Sequence, residues 1–418
     1  MRKAFLVALI ILFPLALVGC VSMALPRVND RVTGETARPV LNADGELTRA
    51  VWESEQAPAL RQAFQDEVYG PVLLGEMAEI ESHDIMQEGA FGGRAIVEQF
   101  QLRLEVNEAE WQTPLVTVRP MNAEGPVPVI VLQTFCGNLA ALRGMDGVMG
   151  PNAASGAPDC MGGPAWQRAI MTSIFGEYIA EPPFEMILDR GYAVALIYPG
   201  DLVPDNRTSA MAPLAAYSPQ DRSGAIATWA YAYSKAIDVL ETRPEYDSER
   251  MAVWGHSRNG KSALLAGAFD PRIDLVISHQ SGTGGTTLTR SYNGESVAQI
   301  TDGYPHWFNE AYAGYSDREA EIPVDQHQLI ALLAPRPLLI GGAWRDRWSD
   351  PMGSYQAARG ANPVYALYGS QGLRQSGLGD FDPSGDIAIT MRNGLHGVNG
   401  NDWTGFLAFL DAHFMDER

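Results

Sequence analysis

Residues 251–269, MAVWGHSRNGKSALLAGAF, constrain the fold more tightly than any other stretch of the chain. Residues 251–254 are a short apolar run with strand character, and residues 261–269 have the composition of a helix. Between them lies only Gly255-His256-Ser257-Arg258-Asn259-Gly260. A strand that turns into a helix through so short a Gly-rich link pushes its apex residue, Ser257, out beyond the sheet edge. The helix N-terminus and its backbone N–H groups then face whatever that hydroxyl attacks. Glycines flank such a serine because side chains there would strike neighbouring strands. The second glycine stands at Ser+3, not at the Ser+2 of the common GxSxG pattern. The turn predicts a nucleophile at Ser257. Arg258 and Lys261 bear on the same point, since cations in a first helical turn work against the dipole by roughly 0.3–1 kcal/mol each. Lys261 lies four residues past Ser257 and can share its helix face. Either both are solvated surface charges, or both enter a cleft, Arg258 toward an oxyanion and Lys261 toward a polar substrate.

The rest of the chain alternates strand and helix patterns. Strands are expected at 97–106, 115–119, 127–135, 192–198, 275–278, 337–342 and 388–391. Helices are expected at 225–241, with Ile226, Trp229, Tyr233, Ile237 and Leu240 on one side, and at 403–414. Pro244 stops the first of them. This order predicts an α/β-hydrolase fold, a mostly parallel sheet flanked by helices in a three-layer αβα sandwich. Residues 20–90 are polar, Pro-dotted and short of strand signals, so they read as a linker with helices wrapping a catalytic domain at 91–418. Residues 137–185 are an insertion between two strands. Its Trp166, Ile170, Ile174, Phe175 and Tyr178 suit a helix, laid over a cleft or packed on the core as a surface helix.

A serine nucleophile needs a base and a group that orients the base. In this fold the chain order is serine, acid, histidine. Of seven histidines, His83, His256, His279, His306 and His327 come too early or adjoin the serine, and His413 sits among apolar residues of the last helix. His396 remains, in a loop just past the last strand. The acid should follow the strand ending near 342. Asp346 is the nearer candidate, and Asp350 the fallback, better suited to capping a loop before Pro351.

With these residues in place, the sequence resembles the glucuronoyl esterases of carbohydrate esterase family 15. The resemblance spans about residues 95–418 and rests on GHSRNGK at 255–261, YPGDLVPD at 198–205, SGTGGTTLTR at 281–290, GESVAQI at 294–300, YPHWFNEAY at 304–312, PVDQHQLIALLAPRP at 323–337 and the Asp346-x-Trp348 segment. It implies a serine esterase that cleaves esters between glucuronic acid on xylan and lignin alcohols. It implies Ser257 as nucleophile, His396 as base and Arg258 as oxyanion donor. Lys261, Glu295 and Trp348, with Gln299 as a further candidate, would hold sugar hydroxyls. One departure stands out: many members carry the acid just before the SG-x-GG segment, where this chain has Gln280. The chemistry needs no metal and no organic cofactor. Competing readings are another carbohydrate esterase, acting on acetylated xylan or other uronate esters, and a catalytically weak glycan-binding protein.

The N-terminus reads as an address. Arg2 and Lys3 precede an apolar run over 4–17 that is too short to span a bilayer, and Leu17-Val18-Gly19-Cys20 resembles a bacterial lipobox. Residues 1–19 would be cleaved and Cys20 lipidated, tethering an exported protein to a membrane; an ordinary secretory signal is the plainer alternative. Cleavage removes two cations and no acid, taking the charge from -20 to -22. Such a charge argues against a nucleic-acid partner. The chain is expected to act as a monomer. With Cys20 assigned, Cys136 and Cys160 can pair in an oxidising compartment.

Overall fold

The computed structural model describes residues 26–28, 48–150, 165–291 and 293–415. Among them, nine strands form one sheet: β1 (Glu79–Gly89), β2 (Ala95–Val106), β3 (Ala109–Pro120), β4 (Val127–Gln133), β5 (Ala193–Ile197), β6 (Tyr246–His256), β7 (Leu275–His279), β8 (Leu338–Ala343) and β9 (Ile387–Arg392). Their spatial order is β1-β2-β3-β5-β4-β6-β7-β8-β9. From β5 to β9 every pairing is parallel, and β1, β2 and β3 extend one edge antiparallel. This is the α/β-hydrolase architecture.

The parallel strands are apolar on both faces because helices cover both. On β4, Val127, Val129 and Val131 enter one core while Ile130 and Leu132 enter the other. On β5, Ala193, Ala195 and Ile197 alternate with Val194 and Leu196 in the same way. The first core is closed by helices Ala225–Glu241, Arg258–Phe269 and Pro351–Ala366, the second by Phe184–Leu188 and Gly400–Phe414. Helix Ala225–Glu241 is buried from Ala225 to Leu240, so its side opposite Ile226 and Trp229 does not face solvent. Alanines at 227, 230, 232 and 236 let neighbours approach there.

The segment before residue 90 differs from expectation. Helical turns do run from Arg49 to Tyr69 and bury Trp52, Phe64, Val68 and Tyr69, but residues 79–89 form the edge strand β1. β1 is exposed along nearly its whole length. With no buried face it carries no alternating apolar pattern to read. In the insertion, Ala165–Phe175 is a helix with Trp166 exposed. Its end is fastened to the loop after His396: Val398 N donates to the Phe175 carbonyl (2.7 Å), and Tyr178 N donates to the Val398 carbonyl (3.1 Å). Cys136 is disulfide-bonded. Residues 1–19, Cys20 and Cys160 lie outside the described residues. Among the described residues, no helix is long and apolar enough to cross a membrane.

Candidate active site

Ser257 occupies the apex between β6 and the helix Arg258–Phe269, with φ 57° and ψ -122°. A non-glycine residue held there stores on the order of 1–3 kcal/mol of strain. The surroundings enforce it. Ser257 N donates to the His279 carbonyl at the end of β7 (2.8 Å), and the N–H groups of Gly260 and Lys261 return to the Ser257 carbonyl. A Cβ on Gly255 would lie 1.9 Å from the Asn259 carbonyl oxygen. On Gly260 it would meet the Gly255 oxygen, the His279 oxygen and Ser281 Cβ at 3.0–3.1 Å. The glycine at Ser+3 thus marks where the helix crosses β7. At Ser+2 a side chain is wanted, because buried Asn259 donates from Nδ2 to the Gln133 carbonyl at the end of β4 (3.1 Å).

His396 and Asp346 meet on the loops after β9 and β8, with His396 Nδ1 2.8 Å from Asp346 Oδ2. An ionised carboxylate only accepts, so Nδ1 carries the proton and Nε2 is left to take one. Asp346 is 3% exposed. Burial pulls its carboxyl upward, but the hydrogen bond and charge of His396 and the Ser349 donors outweigh this and hold it below the usual carboxylate value. Ser349 donates from Oγ to Asp346 Oδ2 and from its backbone N to Oδ1 (3.3 Å). Gln280 donates from Nε2 to the same Oδ2 (2.8 Å). Asp350 is elsewhere: it caps helix Pro351–Ala366, accepting from Gly353 N (3.1 Å) and from Ser291 Oγ (2.6 Å). His256 does not point away from the site. Its ring centre lies 4.5 Å from that of His396, and His279 follows 5.0 Å behind it. Burial, then the neighbouring positive groups, drives His256 well below the ordinary imidazole value. Burial likewise lowers His279, against the opposing pull of Asp402, so the two rings behind His396 disfavour a positive charge.

Neither Arg258 nor Lys261 is a loose surface charge. Arg258 pairs with Asp205 (3.1 Å) and lies over the Phe135 ring at 4.4 Å. Asp205 also accepts from His306 Nε2 (2.9 Å) and Trp307 Nε1 (2.7 Å). Lys261 is 3% exposed, and Nζ donates to the carbonyls of Ser281 and Thr283. Burial pushes its amine down to about 8 against the opposing pull of Glu295. Glu295 is itself buried and raised by that burial, with Lys261 pulling the other way. Its backbone N donates to the Trp348 carbonyl (3.1 Å), which brings the half-exposed Trp348 indole to the same rim.

Comparison with known proteins decides the family. A family model described as "Glucuronyl esterase, fungi" matches residues 205–369. Carbohydrate esterase MZ0003, from an unknown prokaryotic organism, is 34% identical over 400 residues, covering 90% of this chain and 88% of that protein. The solved structure of a promiscuous CE15 esterase from a marine bacterial metagenome superposes with a TM-score of 0.77 at 32% identity, covering 94% of this chain and 98% of that one. The chain belongs to carbohydrate esterase family 15. It is a carboxylic ester hydrolase. The 4-O-methyl-glucuronoyl methylesterase 1 of Wolfiporia cocos is 36% identical over 162 residues, 37% of this chain and 40% of that protein.

Within this family member, Ser257, His396, Asp346, Arg258, Lys261, Glu295 and Trp348 are held at or near the ends of β6, β8 and β9 or on the segments that follow β6, β7, β8 and β9. Gln299 is set apart. It is exposed, and its Oε1 accepts from Ser296 N (2.9 Å), closing a capping box on its own helix Val297–Gly303. Sequence reasoning missed Asp205, His306 and Trp307 as the support of Arg258. The only signal was their presence in the segments YPGDLVPD and YPHWFNEAY.

Proposed function

We propose that this family 15 esterase hydrolyses esters of glucuronic acid, with or without a 4-O-methyl group, through an acyl-enzyme on Ser257. The observation that carries the reading is the Nδ1–carboxylate contact of His396 with Asp346, with the His396 ring 4.5 Å from that of His256, the residue before the strained serine. Ser257 Oγ attacks the ester carbonyl as His396 Nε2 takes its proton. Asp346 keeps the imidazole in the right tautomer and stabilises the imidazolium that forms. Arg258, braced by Asp205, and N–H groups at the helix start receive the oxyanion; removing one such donor typically costs about 10²–10³ in rate. The imidazolium then protonates the departing alkoxide. Water, deprotonated by the same nitrogen, attacks the acyl-enzyme and releases the uronate. Lys261, Glu295 and Trp348 hold the sugar hydroxyls. A chain of charge -20 suits a neutral ester and favours loss of the anionic product.

The family model and the fungal relative, both named for glucuronoyl esters, support this substrate class. A broader carbohydrate-ester range is the second reading, favoured by the promiscuous marine relative. We also infer that the enzyme is an exported monomer, tethered through lipid on Cys20 and acting on xylan-linked esters; the sequence of residues 1–20 supports the tether. The test is kcat/KM on benzyl glucuronate, methyl galacturonate and acetylated xylan. Preference for the glucuronate ester by tenfold or more is expected. Equal rates on all three favour the broader reading, and binding of glucuronoxylan without turnover of any ester refutes both.

A further inference from the structure

Gln280 joins the two loops that carry the acid and the base. It follows the last residue of β7, holds φ 48°, and is 3% exposed. Both ends of its amide are used. Nε2 donates to Asp346 Oδ2 (2.8 Å) and to the Leu395 carbonyl (3.3 Å), and Oε1 accepts from Gly397 N (2.9 Å). Its backbone N donates to the Gly341 carbonyl on β8 (2.8 Å), and its own carbonyl accepts from Ser349 Oγ (3.4 Å). One side chain thus grips the acid and both sequence neighbours of His396.

The chemistry at 280 is specified by those partners. A carboxylate there would set an acceptor against Asp346 Oδ2 at 2.8 Å and against the Leu395 carbonyl, with nothing to donate. An aliphatic side chain would leave the Gly397 N–H without its acceptor and remove one donor from Asp346. A neutral amide of this length donates at one end and accepts at the other. We infer that Gln280 is a positioning residue of this active site: it fixes the Asp346 loop against residues 395–397, so that the carboxylate faces Nδ1 of His396 and stays the single anion of the pair. The inference rests on the assignment of Ser257, His396 and Asp346 proposed above. The other titratable or charged groups facing this assembly are His256, His279, Glu295, and Arg392 with its partner Asp402.

The test compares kcat, KM, melting temperature and the pH profile of kcat/KM on benzyl glucuronate for wild type, Gln280→Leu, Gln280→Glu and Asp346→Asn. Gln280→Leu should lose kcat by about tenfold or more, the scale of a mispositioned catalytic group, with KM within about twofold. Gln280→Glu, matched in size, should move the acid limb of the profile to higher pH, because a second carboxylate beside the imidazole favours its protonated form. A merely structural glutamine would lower the melting temperature of Gln280→Leu and leave its kcat in place. The inference is overturned if Gln280→Leu keeps kcat within about twofold of wild type, or if the acid limb of Gln280→Glu coincides with that of wild type. Should Gln280→Leu lose its melting transition, Gln280→Met, which keeps the length and lacks both the donor and the acceptor, is read by the same kcat and KM criteria. If Asp346→Asn keeps wild-type kcat, the acid assignment fails and takes the inference with it; a crippled Asp346→Asn beside an unaffected Gln280→Leu sinks the positioning role only.

Discussion

Replacing Asp346 by Asn removes one charge and leaves the volume unchanged, so its cost can be worked from the geometry. In the transition state His396, having taken the serine proton, is an imidazolium. The neutral ring gains a hydrogen bond from the carboxylate and the imidazolium gains the charge interaction as well, so the charge interaction lowers the barrier rather than the ground state. At the 2.8 Å contact and an effective dielectric near 20, two unit charges interact by about 6 kcal/mol. Spreading the positive charge over the ring reduces this, which places the loss in kcat at about 10³–10⁴. Asparagine also fits poorly. If its oxygen keeps the Oδ2 place, with His396 and Gln280 donating to it, its NH₂ faces the Ser349 N–H, donor against donor. The assay is steady-state hydrolysis of benzyl glucuronate, with circular dichroism melting as a check on folding. KM should stay within about twofold, since buried Asp346 is held by His396, Ser349 and Gln280 and not by the residues proposed to hold the sugar. A variant that folds and retains more than about a tenth of wild-type kcat refutes the assignment. Asp350→Asn is the matched control: asparagine caps helices well and tolerates the left-handed backbone found at 350 (φ 42°), so kcat should be unchanged.

Two further predictions concern the turn and the buried amine. Gly255→Ala should fail to give folded protein, its Cβ having no room beside the Asn259 carbonyl. Gly260→Ala meets contacts that can yield by a few tenths of an ångström, and should fold with a stability loss of about 1–3 kcal/mol by thermal melting. Lys261, with its amine near 8, should give kcat/KM an alkaline fall: below that pH it is an ammonium that can hold a sugar hydroxyl, and as pH rises through it the charge and one donor are lost. Lys261→Met should lower kcat/KM and abolish that limb; a limb unchanged in the variant would assign it to another group.

Much of this architecture is legible in the sequence because burial writes itself into composition. Strands β4, β5 and β7 are buried on both faces and read as short β-branched runs. The elbow is legible because its glycines answer to carbonyls only a few residues away. β1 is not, because an exposed edge strand selects polar residues such as those of EIESHDIMQEG. Arg258 and Lys261 were ambiguous for a different reason. Their partners, Asp205, Ser281 and Thr283, are set by how distant loops meet, and no local pattern distinguishes a cation paired in a cleft from one in solvent. Gln280 shows the same limit. In the sequence it is an amide where the family resemblance leads one to expect an acid, and its contacts with 346, 395 and 397 depend on β7, β8 and β9 lying side by side.

The central claim is that one serine hydroxyl carries the acyl group. Its most direct measurement is kcat/KM of Ser257→Ala on benzyl glucuronate beside wild type, with both proteins shown to melt cooperatively. The account predicts a fall of about 10⁴ or more, since removing the nucleophile leaves only binding and the oxyanion donors. A folded Ser257→Ala within about tenfold of wild type would contradict it.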